Sequence, residues 1–491
     1  MTRTGHAYLH SLNDGRTIWF GDRQVKNVAT DPAFCRAAHA IARLYDLAAA
    51  EHTPGTFHDV DPDTGRLTLR AFLQPRTPDD LRAKRDMHRA WADVSHGFLG
   101  RSPDYMASGL AGFMTGRALF HSDGPGGLDA LERLYERAKR DALYLAFAIT
   151  NIKVDRTKTL SQHEGRADIG VRVTRETARG VYVSGVKGIG TGAIFADEII
   201  VGSIDPLAPT DAAYAVTFVV AASTPGLSFL SRASYATAGH EDDYPLSTHY
   251  DENDALLVFD DVFIPWDRVL VNQDVRRNFA IWWETPAYTN MAQQASVRFW
   301  TKLEFMAGVA GLVARSSGLD GTPAVRERLG QLLAHVQTAR AMVLAAEAAA
   351  RPGPHGILEL DRDLVYAQRA FAGDVYPKFM HELRMLCGST LIQLPPSVHD
   401  LHHPAYGDVL QRTLGTPHQA APERARLMRL VWDLTSSEFA SRHAHYEQFY
   451  QGPPHVYLFQ MTVTGTFERL IQRVTRALDG TERVTAAALQ P

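Results

Sequence analysis

The sequence predicts a mainly α chain with a β middle domain and a C-terminal four-helix bundle. Three changes of hydrophobic period carry this. Apolar residues recur at three- and four-residue steps between Pro32 and about Lys139, short β-rich runs take over after Asn151, and the helical period returns from about Asn272. The corresponding divisions are an α-helical N-terminal domain over residues 1–141, a β-barrel-like middle domain over 142–272 and a helical bundle over 273–491. This order differs from the alternating βα pattern of a dinucleotide-binding sheet.

Phe34, Ala37, Ala38, Ile41, Leu44 and Tyr45 fall at helical spacing, and the run "PDDLRAKRDMHRAWADVSHG" opens with residues that helices prefer in their first turn. The first third is therefore expected to be mostly helix. Strands are expected at Gly170–Val173, Gly180–Val183, Tyr214–Val220 and Leu256–Phe259, separated by Gly, Pro and Asp turns. The stretch "GVKGIGTGA" places Gly188, Gly190 and Gly192 in a spacing like that of a nucleotide-binding loop, but without the required helix and acidic residue. It is read as a glycine-containing turn after a strand, with Thr191 facing a ligand. In the last third, Leu329, Leu332, Leu333, Val336, Ala339 and Val343 share one helical face. Further long helices are expected from Gln293 to Val313 and from Pro422 to Arg442. Faces rich in small residues suit a bundle that extends into an oligomer.

Composition narrows the function. The chain has 491 residues, 45% hydrophobic and 22% charged, with a formal net charge of −4, which is an ordinary globular composition. No basic field or like-charge block invites nucleic acid. Two cysteines, Cys35 and Cys387, are too few for a disulfide framework or a four-cysteine cluster and suit a reducing cytoplasm. The opening residues contain no signal-like apolar run, and no later segment is long and apolar enough to span a membrane.

Two segments stand out. In "FLGRSPDYMASG", Arg101 and Tyr105 lie four residues apart around a turn that starts a helix near Pro103, so a fixed cation and a phenol share one side. The same pair at helical spacing is common as packing. In "SEFASRHAHYEQFYQG", His443 and His445 are two apart and diverge on a helix, so no metal site is expected there, nor is one expected elsewhere. A cationic and aromatic cluster of Arg442, His443 and Tyr446 suits a phosphate or an isoalloxazine ring instead.

The chain resembles the oxygenase component of two-component, reduced-flavin-dependent 4-hydroxyphenylacetate 3-monooxygenases. The likeness rests on "TGHAYLHSLNDGRTIWFGDRQVKNVATDPAF", "GRSPDY", "SRASYATAGHEDDYPLSTHYDENDALLVFDDVFIPWDRVL", "LPPSVHDL" and "SEFASRHAHYE". It implies an acyl-CoA-dehydrogenase-like fold and a homotetramer. It implies as well a separate reductase that supplies FADH2, reaction of that flavin with O2 to a C4a-hydroperoxide, and hydroxylation of a small aromatic substrate. Carried over by motif, Arg101 and Tyr105 are catalytic and bind substrate together with Phe147, Ser203 and His249. Phe147, Ala148, Ile149, Asn151, Val154, Arg156, Thr191, Arg442, His443 and Tyr446 contact FAD.

One position departs from the family. The segment "LYLAFAITN" has Phe147 where the related hydroxylases carry a histidine. A phenol of pKa about 10 is only about one part in a thousand ionised at neutrality, and general-base help is worth about 10²- to 10⁴-fold in rate. Three explanations stay open. The substrate is a ring that needs no deprotonation, such as an indole or an electron-rich amine, on which Phe147 stacks. Alternatively His240 or His249 supplies the base. In the third, hydroxylation has given way to an oxidase, dehydrogenase-like or N-oxygenating activity on the same fold.

Overall fold

The computed structural model describes residues 2–449, 454–463 and 465–478. Helices Cys35–Ala49, Pro78–Val94, Pro103–Thr115 and Leu128–Asp141 dominate the first third. Local chemistry starts them. The Thr77 hydroxyl accepts the Asp80 amide while the Asp80 carboxylate accepts the Thr77 amide, and Pro78 fills the first turn, where a missing N–H costs nothing. Helix Pro103–Thr115 is buried along its whole length because helix Ala287–Ser316 packs on it. Gly112 permits that approach, since a Cβ there would collide with the Ala287 backbone.

The first third also contributes strands, two of them ahead of the helical stretch that begins at Pro32. Thr17–Phe20 runs parallel to Leu227–Ser231 with Ile18 opposite Phe229, and Arg23–Val25 closes the edge beside it. Two alternating residues explain this: Ile18 is fully buried while Trp19 is 41% exposed, the period of a strand with one wet face. The resulting seven-stranded sheet runs 23–25, 17–20, 227–231, 254–265, 180–191 and 150–151, with Arg172–Thr177 also paired to 180–191.

A second sheet of four strands runs 269–271, 217–221, 198–201 and 145–148. All of Glu198–Val201 is buried, as expected of a strand covered on both faces. Leu145–Ala148 lies parallel to it, with Phe147 opposite Ile200. Two residues later Thr150–Asn151 pairs with Lys187–Gly188 in the first sheet. The chain therefore crosses between the sheets just after Phe147.

The glycine-rich stretch is strand, and this corrects the expected turn. Gly188 and Gly190 lie inside Gly180–Thr191, where the register against Asp254–Pro265 shifts between Ala255 and Leu257. Ile189 takes φ +59° at this bulge and is 62% exposed.

The last third packs helices Ala287–Ser316, Pro323–Ala348 and Arg362–Cys387 against one another, with Ala421–Thr435 beside the first and last of them. Leu332, Val336, Ala339 and Val343 are buried as expected, whereas Leu333, one step off that face, is 56% exposed. The helix expected from Pro422 to Arg442 is two helices. Ser436 takes φ −134°, and the Ser437 hydroxyl donates to the Asp433 backbone and carboxylate, a local bond that competes with the helical ladder. Arg442 therefore stands on a separate helix, Glu438–Phe449. No described helix is long and apolar enough to cross a membrane.

Candidate active site

Arg101 sits two residues before helix Pro103–Thr115, and its guanidinium carbon lies 4.2 Å from the Tyr105 ring centre, 4.7 Å from Phe147 and 5.8 Å from Tyr446. Tyr105 and Phe147 stack at 5.8 Å and 20°, and Phe147 also meets Trp282 at 6.3 Å. Three side chains expected at the site from separate segments thus meet around one cation. Each cation–ring contact is worth about 0.5–2 kcal/mol, more when desolvated. The Trp282 indole N–H is buried without a hydrogen-bond partner, a donor left over in this aromatic wall.

A carboxylate that the sequence reading did not single out holds the cation in place. Glu252, 2% exposed, accepts the amides of Gly100 and Arg101 at 2.9 and 2.8 Å, while its other oxygen accepts Arg442 at 2.7 Å. The Tyr144 hydroxyl donates to the Arg101 carbonyl at 2.6 Å. Gly100 is required here, because a Cβ would collide with the Tyr446 hydroxyl. Arg442 reaches both oxygens of Asp254 at 2.7 and 3.0 Å and stacks over Tyr446 at 4.2 Å. The Thr191 hydroxyl donates to Asp254 at 2.6 Å, so Thr191 and Arg442 share one anchor. Burial opposes the Asp254 charge, but Arg442, Arg232 and the Thr191 hydroxyl outweigh it and hold this carboxyl well below the usual range.

The strand end beyond Phe147 organises the neighbouring loop. The Ala148 carbonyl accepts the Gly202 amide at 3.2 Å and the Ile149 carbonyl accepts the Ile204 amide at 3.4 Å, a clamp on either side of Ser203. The Asn151 amide group donates to the Ser203 hydroxyl at 3.1 Å, and Lys187 donates to the Asn151 carbonyl oxygen at 2.6 Å. Burial draws the Lys187 ammonium down to about 7. Ser203 is fully buried.

Other expected site residues lie elsewhere. His443 touches Tyr446 at 5.9 Å, but its ring is fully buried between Phe98 and Phe439, with Nδ1 3.2 Å from Lys302. Burial and the nearby cations push its pKa well below the ordinary histidine value, so it is neutral and adds no charge to the cluster. His249 is half-exposed 3.6 Å from Glu241, and His240 faces Asp242 and His399. The described contacts of these histidines include none with Arg101, Tyr105 or Phe147. Val154 and Arg156 are exposed.

A bound flavin needs a cradle for its ring and its diphosphate, and the segment that follows Phe147 in the chain has the chemistry for both. Val154 exposes an apolar side chain among the exposed cations Lys153, Arg156 and Lys158, and Ile189, on the strand that pairs with Thr150–Asn151, exposes another. The donor set fits FAD.

Family models for the N-terminal and C-terminal parts of 4-hydroxyphenylacetate 3-hydroxylase match residues 4–271 and 279–479. The chain is 33% identical to the oxygenase component of 4-nitrophenol 2-monooxygenase from Rhodococcus sp, over 93% of this chain and 87% of that one. It is 32% identical to the oxygenase component of 4-hydroxyphenylacetate 3-monooxygenase from Escherichia coli, over 97% of this chain and 92% of that one. The crystal structure of such an oxygenase with FAD and 4-hydroxyphenylacetate superimposes with a TM-score of 0.91 at 29% identity, covering 98% of this chain and 99% of that one. A 4-hydroxybutyryl-CoA dehydratase shares the fold at a TM-score of 0.85 and 20% identity. The two family models together span nearly the whole chain, and the chain belongs to the 4-hydroxyphenylacetate 3-hydroxylase family.

Proposed function

We propose that this chain is the oxygenase component of a two-component monooxygenase, which takes reduced FAD from a separate reductase and hydroxylates a small aromatic ring. The observation that carries the reading is the Arg101 guanidinium set among Tyr105, Phe147 and Tyr446. When bound, reduced FAD with O2 supplies the oxygen that is inserted. The chain's own residues bind, orient and exclude water. Arg101 places a permanent positive charge where a phenolate oxygen would sit, and Phe147 and Trp282 give the ring a dry wall. Thr191, Val154 and Arg156, with Ile189 and Lys153, would hold the cofactor.

The site favours a particular substrate class. The described ring contacts of Phe147 are Arg101, Tyr105 and Trp282, and none is a histidine or a carboxylate. A ring that needs no enzymatic base fits this wall: a phenol already ionised through an electron-withdrawing substituent, or an indole or amine. The test is turnover under ¹⁸O2 with enzymatically reduced FAD. One labelled oxygen per product is expected, and Arg101→Met should lower kcat/KM by about 10²- to 10³-fold. Product without label, alongside hydrogen peroxide release, would instead establish an oxidase.

The homotetramer rests on a separate observation. Helix Thr466–Leu478 exposes Phe467, Leu470, Ile471, Val474 and Leu478, all at helical spacing on one face. A stripe of this kind is suited to a second copy of the chain. Leu470→Glu with Val474→Glu is expected to reduce the mass measured by light scattering to that of a smaller species. An unchanged mass would move the interface elsewhere. The two free cysteines agree with a reducing cytoplasm.

A further inference from the structure

We propose that His240, Asp242 and His399 form a binding site for a tetrahedral divalent cation, best met by Zn²⁺, which staples the loop at 240–243 to the turn Val398–His402. The three ligand atoms form a nearly equilateral triangle. His240 Nδ1 lies 3.2 Å from His399 Nε2, His240 Nδ1 lies 3.4 Å from Asp242 Oδ2, and His399 Nε2 lies 3.3 Å from Asp242 Oδ2. Ligands bonded at about 2.05 Å to one tetrahedral centre stand about 3.3 Å apart, whereas octahedral neighbours stand about 2.9 Å apart.

Hydrogen bonding alone accounts poorly for this triangle. The Asp242 amide, 3.2 Å from His240 Nδ1, selects the tautomer with its lone pair on Nδ1, the form that ligates a metal, and a bound cation would take the amide's place on that lone pair. The carboxylate oxygen also accepts, so an Nε2–H of His399 would face two acceptors, both at long range. A cation would gather all three atoms on one centre in exchange for the Asp242 amide bond. Two imidazoles and a carboxylate are the ligands Zn²⁺ takes, while Mg²⁺ and Ca²⁺ favour all-oxygen sites.

The framework behind the triangle is already in place. Asp243, one residue on, is buried and accepts the Val398 amide at 2.8 Å, with Arg429 Nε 3.5 Å away, so both segments are pinned next to the site. Ser397 and Asp400 cap the turn that carries His399. Arg426 Nε lies 3.9 Å from the second oxygen of Asp242 and orients the carboxylate. The side chains of His240 and His399 are 53% and 56% exposed, which leaves a fourth position open to water. Spacing rules could not find this site, because His399 lies 159 positions from His240.

Zinc uptake by the intact chain, stripped with a chelator and dialysed, tests the proposal independently of activity. One Zn²⁺ per chain is expected, the unfolding temperature should rise with free zinc, and Co²⁺ substitution should give the intense visible bands of a tetrahedral centre. His399→Gln and Asp242→Asn should each weaken zinc binding by at least about tenfold, while His403→Gln leaves it unchanged. No saturable uptake, or equal uptake by the His399→Gln variant, would overturn the site.

Discussion

Replacing Phe147 by histidine is expected to raise the turnover of simple, weakly acidic phenols by about 10²-fold, the lower end of what a general base contributes. Phe147 is half-buried and lies 4.7 Å from the Arg101 guanidinium, so an imidazole in its place would face the same cation. That cation disfavours the imidazolium, which keeps the ring in its accepting form at neutral pH. The gain should appear in kcat and should fall away in acid as the new histidine protonates. An acidic phenol, ionised before it binds, should gain little. The check is a pH–rate profile on paired phenols of different acidity for wild type and Phe147→His. Loss of turnover on every substrate, with KM raised, would instead identify Phe147 as an indispensable ring contact.

Glu447→Gln is expected to destabilise the chain by about 3–5 kcal/mol, the usual cost of removing one partner from a buried ion pair. Glu447 accepts Arg298 through both oxygens at 2.7 and 2.8 Å and Lys302 at 2.8 Å, and all three side chains are at most 1% exposed. Glutamine keeps the shape but leaves two buried cations facing each other. The measurement is the denaturation midpoint, and a loss under about 1 kcal/mol, the range of an exposed pair, would contradict the account.

The acid dependence follows from the same pair. Burial opposes the Glu447 charge, but Arg298 and Lys302 outweigh it and hold the folded-state carboxyl far below its unfolded value. A depressed carboxylate contributes its stability in full above the unfolded pKa of about 4.3 and loses it as pH falls further. Asp254 behaves alike, so wild type should weaken steeply below that pH. Glu447→Gln should show a shallower acid limb.

Periodicity made the bundle legible because burial of one helical face repeats locally: Leu332, Val336, Ala339 and Val343 all lie where their spacing put them. It passed over Ile18 and misread the glycine-rich strand, because a short strand is defined by its partner and not by its own composition. The split at Ser436 was equally hidden, since Asp433 is buried by accepting the Leu246 and Ser247 amides from a distant loop.

Arg101 and Tyr105 were visible as a pair, and Phe147 as a departure within a recognisable segment. Whether they touched was not. Glu252 and Asp254 stood in plain sight in "DENDALLVF" but were not singled out. Only the fold brings Glu252 beneath the Gly100 and Arg101 amides and Asp254 between Thr191 and Arg442.

By itself the sequence determined the three regimes, the family and the residue types available for chemistry, because these depend on local pattern and on motifs contiguous in the chain. The tertiary structure decided which charges meet. It made Arg442 an anchored cation and His443 a neutral core residue one position away, and it closed the His240, Asp242 and His399 triangle. Burial and pairing set the state of an ionisable group, and both are properties of what the rest of the chain places around it.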